Sequence, residues 1–321
     1  MFDPTWQHAR ALAAKQHWLI TAQQARDVGL TRGQMDSAVR RRIALALVSG
    51  VYLLDGDMFS EVPEHLWWRA ALHAHGADAC LVGWTGARAI GAQGLPSRDP
   101  TIDLALIGGL SRHHRPISPL RMSDGREIIV RQLPVLANEI AVVDGMRVRE
   151  PSQTIVDAAL MLDTVHALCL FDWALHVELM DKTQLLDLVA KARRRPGVVH
   201  VRKAAQHADG RAQSPLESRC RLACIDGNIA PDELQYPVEN NVGIVIAYGD
   251  LAWLKRKRTN KPLIAEADGK DPHARPIPLL YDRRRQNDVV VHECDVVRFT
   301  WADRLRPAYI QSVVRAALAA A

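Results

Sequence analysis

The stretch LIAEADGK, Leu263 to Lys270, carries two carboxylates one position apart, Glu266 and Asp268, in an otherwise apolar run. Burying an ionised carboxylate is costly unless something positive compensates it. Residues i and i+2 of a strand share a face, so Glu266 and Asp268 project together with Ile264, while Leu263, Ala265 and Ala267 turn the other way. Asp250 closes the preceding apolar run, and a hairpin would bring this third acid to the same place. Three hard oxygen donors around one point suit magnesium, an ion held by a few carboxylates and water. Such an ion could polarise a phosphoryl oxygen and supply hydroxide for phosphodiester cleavage. Lys270 and His273 follow closely, and either could stabilise developing charge or transfer a proton. The same residues also fit a strand that ends in solvent, with Gly269 making a turn and no chemistry at all.

The elements that would position these acids lie between Ser214 and the end of the chain. SPLESRCRLACIDG predicts a helix with Ser214 as N-cap, Pro215 at the first position and Glu217 three after the cap, a capping-box arrangement. Strands over NVGIVIAYGDLAW, PLIAEADG and DVVRFTW, with helices around LLYDRRRQNDVVVHE and PAYIQSVVRAALAA, predict a small α/β domain with a mixed sheet. At the other end, Thr21 and Thr31 can each cap a short helix, with Gly29 in the turn between them. IALALVSGVYLL then reads as a hairpin turning at Gly50, so the first fifty-odd residues predict a winged helix-turn-helix. EHLWWRAALHAHG predicts a helix with Leu66, Ala70 and Ala71 inward, and VGWTGARAIGAQGLP another, stopped by Gly94 and Pro96. The strands TIDLALIGG and REIIVRQLP follow, joined by a polar loop with His113 and His114. PSQTIVDAALML then opens a helical stretch to about His207, broken at Arg195-Pro196-Gly197.

A chain of 321 residues predicts two or three cores. No run of about 18 apolar residues offers a membrane span. The N-terminus lacks the basic-then-apolar order of a secretory signal, and five scattered cysteines without a CxxC pair support neither a disulfide framework nor a zinc ribbon. A cytoplasmic protein is the expectation. The formal charge of +5 is compatible with nucleic acid but does not single it out. Placement says more: basic residues cluster at Arg40, Arg41 and Arg42, and at Lys255, Arg256, Lys257 and Arg258. Solvated helix ends and loops account equally well for any one cluster.

In order, SPLESR, DLAW, LIAEADGKDPH, YDRRRQND and VVRFTW resemble the very-short-patch-repair-endonuclease-like domain, over about a third of the chain. That resemblance implies a restriction-endonuclease-like fold of the PD-(D/E)xK type. It puts the metal-binding acids at Asp250 and Glu266, with Asp268 and His273 near the centre and Glu217 contributing from the first helix. Two departures stand out: the basic loop LKRKRTNKP, which could track a phosphate backbone or be a plain insertion, and Pro272 just before His273. LITAQQARDVGLTRGQMDSAVRRRIALALVSGVYLL resembles the winged-helix domain of AbiEi-type antitoxins, as do VGWTGARAIGAQGLP and PSQTIVDAA downstream. Ser49 stands where that family carries an arginine. The resemblance implies that the helix from Thr31 to Arg42 enters the major groove, with Arg32 and Gln34 near base edges and Arg40 to Arg42 on phosphates.

The expectation is an α+β multidomain protein. Residues 1–58 form the winged helix-turn-helix, 59–207 an antitoxin-like middle region, mixed then helical, and 208–321 the endonuclease-like domain. Its partners are DNA and, by resemblance, a cognate toxin protein, with magnesium as cofactor and no membrane; oligomeric state stays open. Magnesium-dependent endonuclease and non-catalytic regulator or antitoxin with a degenerate nuclease fold both fit this organisation.

Overall fold

A computed structural model of the protein describes residues 4–55, 61–97, 101–109, 120–239, 242–254, 261–268 and 294–320. The chain is α+β and divides into two compact units, Met1–Gly91 with Pro96–Met161, and Ala92–Leu95 with Leu162–Ala321.

The first unit begins with α1 (Pro4–Ala14), β1 (Leu19–Thr21), α2 (Ala22–Asp27), α3 (Arg32–Arg40), β2 (Ala44–Val48) and β3 (Val51–Leu54). Thr21 and Thr31 cap α2 and α3 as expected, and each capping box is completed by a glutamine, Gln24 and Gln34. Gly29, at φ +94°, makes the turn between the two helices. The three strands pair antiparallel in the order β1-β3-β2. Ala9, Ile20, Leu30, Met35, Ala38 and Leu54 form the core under α3.

The unit continues with α4 (Glu64–His75), β4 (Ala79–Leu81), α5 (Gly83–Ala89), β5 (Thr101–Leu106), β6 (Glu127–Val130), β7 (Ile140–Val143), β8 (Met146–Arg149) and α6 (Pro151–Ala159). Its sheet runs β6-β5-β4-β8-β7. Leu66, Ala70 and Ala71 of α4 face inward, but they share one core with Leu47, Val51 and Leu53 of the hairpin and with Leu81 and Leu104. A division at residues 58 and 59 would cut this core, so the expected separate winged-helix domain is part of a larger unit.

The second unit holds α7 (Thr164–His176), α8 (Lys182–Lys191), α9 (Val198–His207), α10 (Pro215–Asp226), β9 (Glu233–Glu239), β10 (Val245–Trp253), β11 (Leu263–Asp268), β12 (Asp295–Thr300) and α11 (Pro307–Ala319). The expected boundary at residues 207 and 208 falls inside it. Asp172 on α7 and Arg221 on α10 are both buried and lie 2.6 Å apart, tying the helices before that boundary to those after it. The mixed sheet runs β12-β11-β10-β9, with β11 and β12 parallel and the other pairs antiparallel. Leu216, Cys220 and Cys224 of α10 and Ile310 and Val314 of α11 pack on the face carrying Leu251, Trp253, Leu263, Ala265 and Phe299. The helix expected around LLYDRRRQNDVVVHE and the His113-His114 loop lie outside the described residues. Among the described residues, no helix is long and apolar enough to cross a membrane.

Candidate acidic site

Alternation along β10 breaks at one residue. Trp253 and Leu251 face the helices, and Ala252 packs on the other side with Val238 and Ile264. Strict alternation would return Gly249 to the helix side, yet a Cβ built there would lie 2.5 Å from Ile264 Cγ2. The neighbouring strand flips at the same level: Leu234 packs with the helix side, Tyr236 with the opposite side, and Gln235 between them has φ +51°. Leu251 pairs with Leu234 and Gly249 with Tyr236, so Asp250 and Gln235 sit across from each other at the kink. Only a residue without a side chain fits beside Asp250, where the strands come this close.

The kink gathers two carboxylates. Gln235 Nε2 donates to Glu217 Oε2 at 3.0 Å and to Asp250 Oδ1 at 3.4 Å. Glu217 also accepts the Gln213 backbone N–H at 2.9 Å, and its own N–H donates to Ser214 Oγ at 3.2 Å. Ser214 thus caps α10 as expected, while the Glu217 side chain reaches past the cap into a buried acidic cluster. Asp250 Oδ2 accepts the Ala267 backbone N–H at 2.7 Å, a ladder position on β11. Burial first, then the charges of Glu217 and Asp268, raise the Asp250 carboxyl from 3.8 to about 6 against the Ala267 and Gln235 hydrogen bonds, which hold it down.

Glu266 follows a different partner. It stands directly across from Arg298 in the parallel register of β11 and β12, and Arg298 Nη2 lies 2.9 Å from Glu266 Oε2. Arg298 Nη1 lies 4.0 Å from Asp268 Oδ2. Glu266 and Asp268 share a strand face, as expected, and the cation on that face is an arginine from the next strand. The expected convergence of Asp250, Glu266 and Asp268 is therefore split. Asp250 turns at the kink toward Glu217, and Glu266 turns to Arg298. Among the described residues, no group of three His, Cys, Asp or Glu side chains is placed to hold a metal ion. Lys270, His273 and the basic residues Lys255, Arg256, Lys257 and Arg258 lie outside the described residues.

Two carboxylate donors meet at the kink, bridged by the Gln235 amide. Glu217 is buried and Asp250 half-buried, and a carboxyl raised to about 6 favours a proton or a cation beside it. Magnesium is commonly held by one or two carboxylates, with water and substrate phosphate completing its shell.

Gln235 and Arg298 escaped the sequence reading. ELQYPVE alternates Leu234, Tyr236 and Val238, but Pro237 argues against a strand interior, so the sequence does not predict the strand. Arg298 carries a legible signal, a lone cation among the apolar residues of DVVRFT, but its partner depends on a parallel register that only the fold supplies.

On the first unit, Arg32, Gln34, Arg40, Arg41 and Arg42 are all exposed. Gln34 Oε1 accepts from the Thr31 N–H at 2.8 Å and from its hydroxyl at 2.9 Å, so the oxygen expected at a base edge is engaged in capping. Arg32 Nε lies 3.9 Å from Asp36 with both side chains open to solvent, a contact too weak to hold the guanidinium in place.

No protein-family model matches the chain. Two uncharacterized proteins of Mycobacterium tuberculosis, MT2308 and Rv2248, are each 34% identical to it over 143 residues, 44% of this chain. The chain spans about half the length of these curated relatives, 51% of each. The crystal structure of the RV2827C protein from Mycobacterium tuberculosis is similar with a TM-score of 0.40 and 18% identity, covering 74% of this chain and 85% of that one.

Proposed function

We propose that this is a cytoplasmic DNA-binding protein whose second unit hydrolyses phosphodiester bonds with magnesium. The observation that carries the reading is the pair of buried Glu217 and half-buried Asp250 at a strand kink, sharing the Gln235 amide. Helix-borne Glu217, strand-borne Asp250 and the Glu266-x-Asp268 strand follow the order of the restriction-endonuclease-like pattern that the sequence resembles. Glu217 and Asp250 would hold the ion, and Asp268 lies near enough to add to the field at Asp250. Bound magnesium would supply Lewis acidity at a phosphoryl oxygen and an activated water. Gln235 fixes both carboxylates by donating to each, and the Ala267 N–H fixes the second Asp250 oxygen. Arg298 neutralises Glu266 and would leave Asp268 as the remaining acid on its face. Lys270 and His273 stay in the proposal as charge-stabilising or proton-transfer residues on the segment following β11. The exposed arginines of α3 and the Lys255 to Arg258 loop would supply the phosphate contacts.

Cleavage of supercoiled and mismatched DNA with magnesium tests this reading. Wild type should cleave, and Asp250→Ala and Glu217→Gln should each lose at least about 100-fold, since metal ligands are needed for the chemistry itself. Equal behaviour of all three proteins removes the nuclease. Sequence-specific DNA binding with no cleavage would leave the regulator or antitoxin, acting with a toxin partner.

A further inference from the structure

The turn that follows β12 combines exposed apolar side chains with arginines stacked on its aromatic rings. Residues Trp301–Leu305 form a single 3-10 turn, and α11 begins two residues later. Trp301 is 40% exposed, Leu305 70% and Tyr309 41%, so three large apolar side chains stand in water within nine residues. Two arginines lie against the aromatic rings. The Arg304 guanidinium sits 4.8 Å from the Trp301 ring centroid and that of Arg306 4.7 Å from the Tyr309 ring centroid. Exposed large aromatics usually indicate a surface that meets something, because burying them is worth more than any other contact of their size.

The turn is held rigidly. Thr300 donates its N–H and its hydroxyl to Asp303 Oδ2, each at 2.9 Å, and Arg304 Nη1 donates to the Trp301 carbonyl at 2.8 Å. These bonds order the backbone of the turn that carries Trp301, which lowers the ordering cost of binding. Asp303 is the acid of the turn, and it is engaged by Thr300 and lies 4.0 Å from Arg306. With Asp303 counted, the turn carries two guanidinium ions, one carboxylate and two rings, a net charge of +1.

Its place in the fold matters as much as its composition. Thr300 pairs with Asp268 in the parallel register, so Trp301 is the first residue beyond the strand end that carries the acidic motif. The turn also packs against α10, the helix that carries Glu217. The acidic cluster and the aromatic turn therefore flank one end of the same sheet.

We propose that Trp301 and Tyr309, with Arg304 and Arg306, form a stacking platform for unpaired nucleotides, so that the substrate class is single-stranded or locally unpaired DNA. This rests on the nuclease reading for its biological sense, but the platform itself is a binding surface. Aromatic rings stack on any base face and arginines follow the phosphates, which is how single strands are held without base-edge readout. A closed duplex hides its base faces and gains nothing from the rings. Positive charge at the rim also offsets the repulsion between phosphate and the acids at the sheet end.

The test is fluorescence anisotropy in EDTA with the full chain, using a labelled single strand, the same sequence as a duplex, and a duplex with an unpaired bulge. Because α3 would offer its own duplex contacts, the aromatic variants are read by difference: they should lose affinity for the single strand and the bulge but not for the closed duplex. Trp301→Ala and Tyr309→Ala should each weaken single-strand binding about tenfold, and Trp301→Phe should stay within about threefold of wild type. Both aromatic sites are exposed, and unfolding midpoints compared with wild type confirm that each variant is folded. Equal single-strand affinity of wild type and both alanine variants overturns the platform, as does an equal loss on the closed duplex. Loss of cleavage with the binding differences intact would remove the nuclease and leave the platform, and intact cleavage without those differences would do the reverse.

Discussion

Glu266 and Arg298 stand opposite each other on parallel strands, with Oε2 and Nη2 2.9 Å apart. The arginine side chain is 44% exposed and the glutamate 24%, so water screens much of the attraction. A double-mutant cycle of Arg298→Ala and Glu266→Gln by urea unfolding should give a coupling of about 0.2–1 kcal/mol. A coupling above about 2 kcal/mol would mean that the pair carries structural weight beyond a screened contact.

Asp250 titrates in the opposite sense to a salt-bridged acid. Its folded carboxyl is raised from 3.8 to about 6, so between roughly pH 4 and 6 the folded state holds a proton that the unfolded state releases. Stability should therefore fall as pH rises through that window, and the cost is fully present above it. A shift of this size corresponds to about 3 kcal/mol for a fully buried group, and partial exposure reduces it to about 1–2 kcal/mol. Asp250→Asn should flatten this fall, measured by urea unfolding at pH 4.5 and 7.5. An unchanged slope in the variant would assign the pH dependence to another group.

How far this site was legible follows from particular residues. The capped helices at Thr21, Thr31 and Ser214 were readable because capping is local, and so was the shared face of Glu266 and Asp268. The partner of Asp250 was not. Alternation puts Asp250 with Glu266, but the kink at Gln235 and Gly249 turns it to Glu217, and nothing in the local pattern marks a left-handed glutamine. The unit boundary was hidden for a similar reason. Asp172 and Arg221 meet across 49 positions, and neither position looks unusual on its own helix.

Magnesium should raise the unfolding temperature of the wild type at neutral pH, since a ligand bound only by the folded state stabilises it by mass action. It would also relieve the repulsion between Glu217 and Asp250 that raises the Asp250 carboxyl. Glu217→Gln and Asp250→Asn should each lose most of the rise in differential scanning calorimetry. An equal rise in all three proteins would move the ion to another place.

The Asp172–Arg221 pair makes a sharper stability prediction. Both side chains are nearly inaccessible, and Asp172 also accepts the Asp209 backbone N–H at 2.8 Å. Arg221→Met leaves a buried carboxylate without its cation and should cost about 3–5 kcal/mol in urea unfolding. Adding Asp172→Asn should recover part of that loss, because the uncompensated charge is then gone. If the double variant were no more stable than Arg221→Met, the loss would come from packing of the arginine stem instead.

The arginines after α3 should reveal themselves by salt dependence. Arg40, Arg41 and Arg42 are exposed at the end of the helix, and Arg42 has φ +60°, which turns the chain toward β2. If they meet DNA phosphates, each contact releases a condensed counterion, and the slope of log affinity against log salt falls by about 0.9 per contact removed. Replacing all three by alanine should lower the slope by about 2–3 and weaken binding to every duplex alike. Arg32→Ala should instead change the preference among sequences, because it stands at the start of the helix, where base edges are reached. An unchanged slope in the triple variant would assign these arginines to the helix C-terminus, where positive charge complements the backbone dipole without DNA.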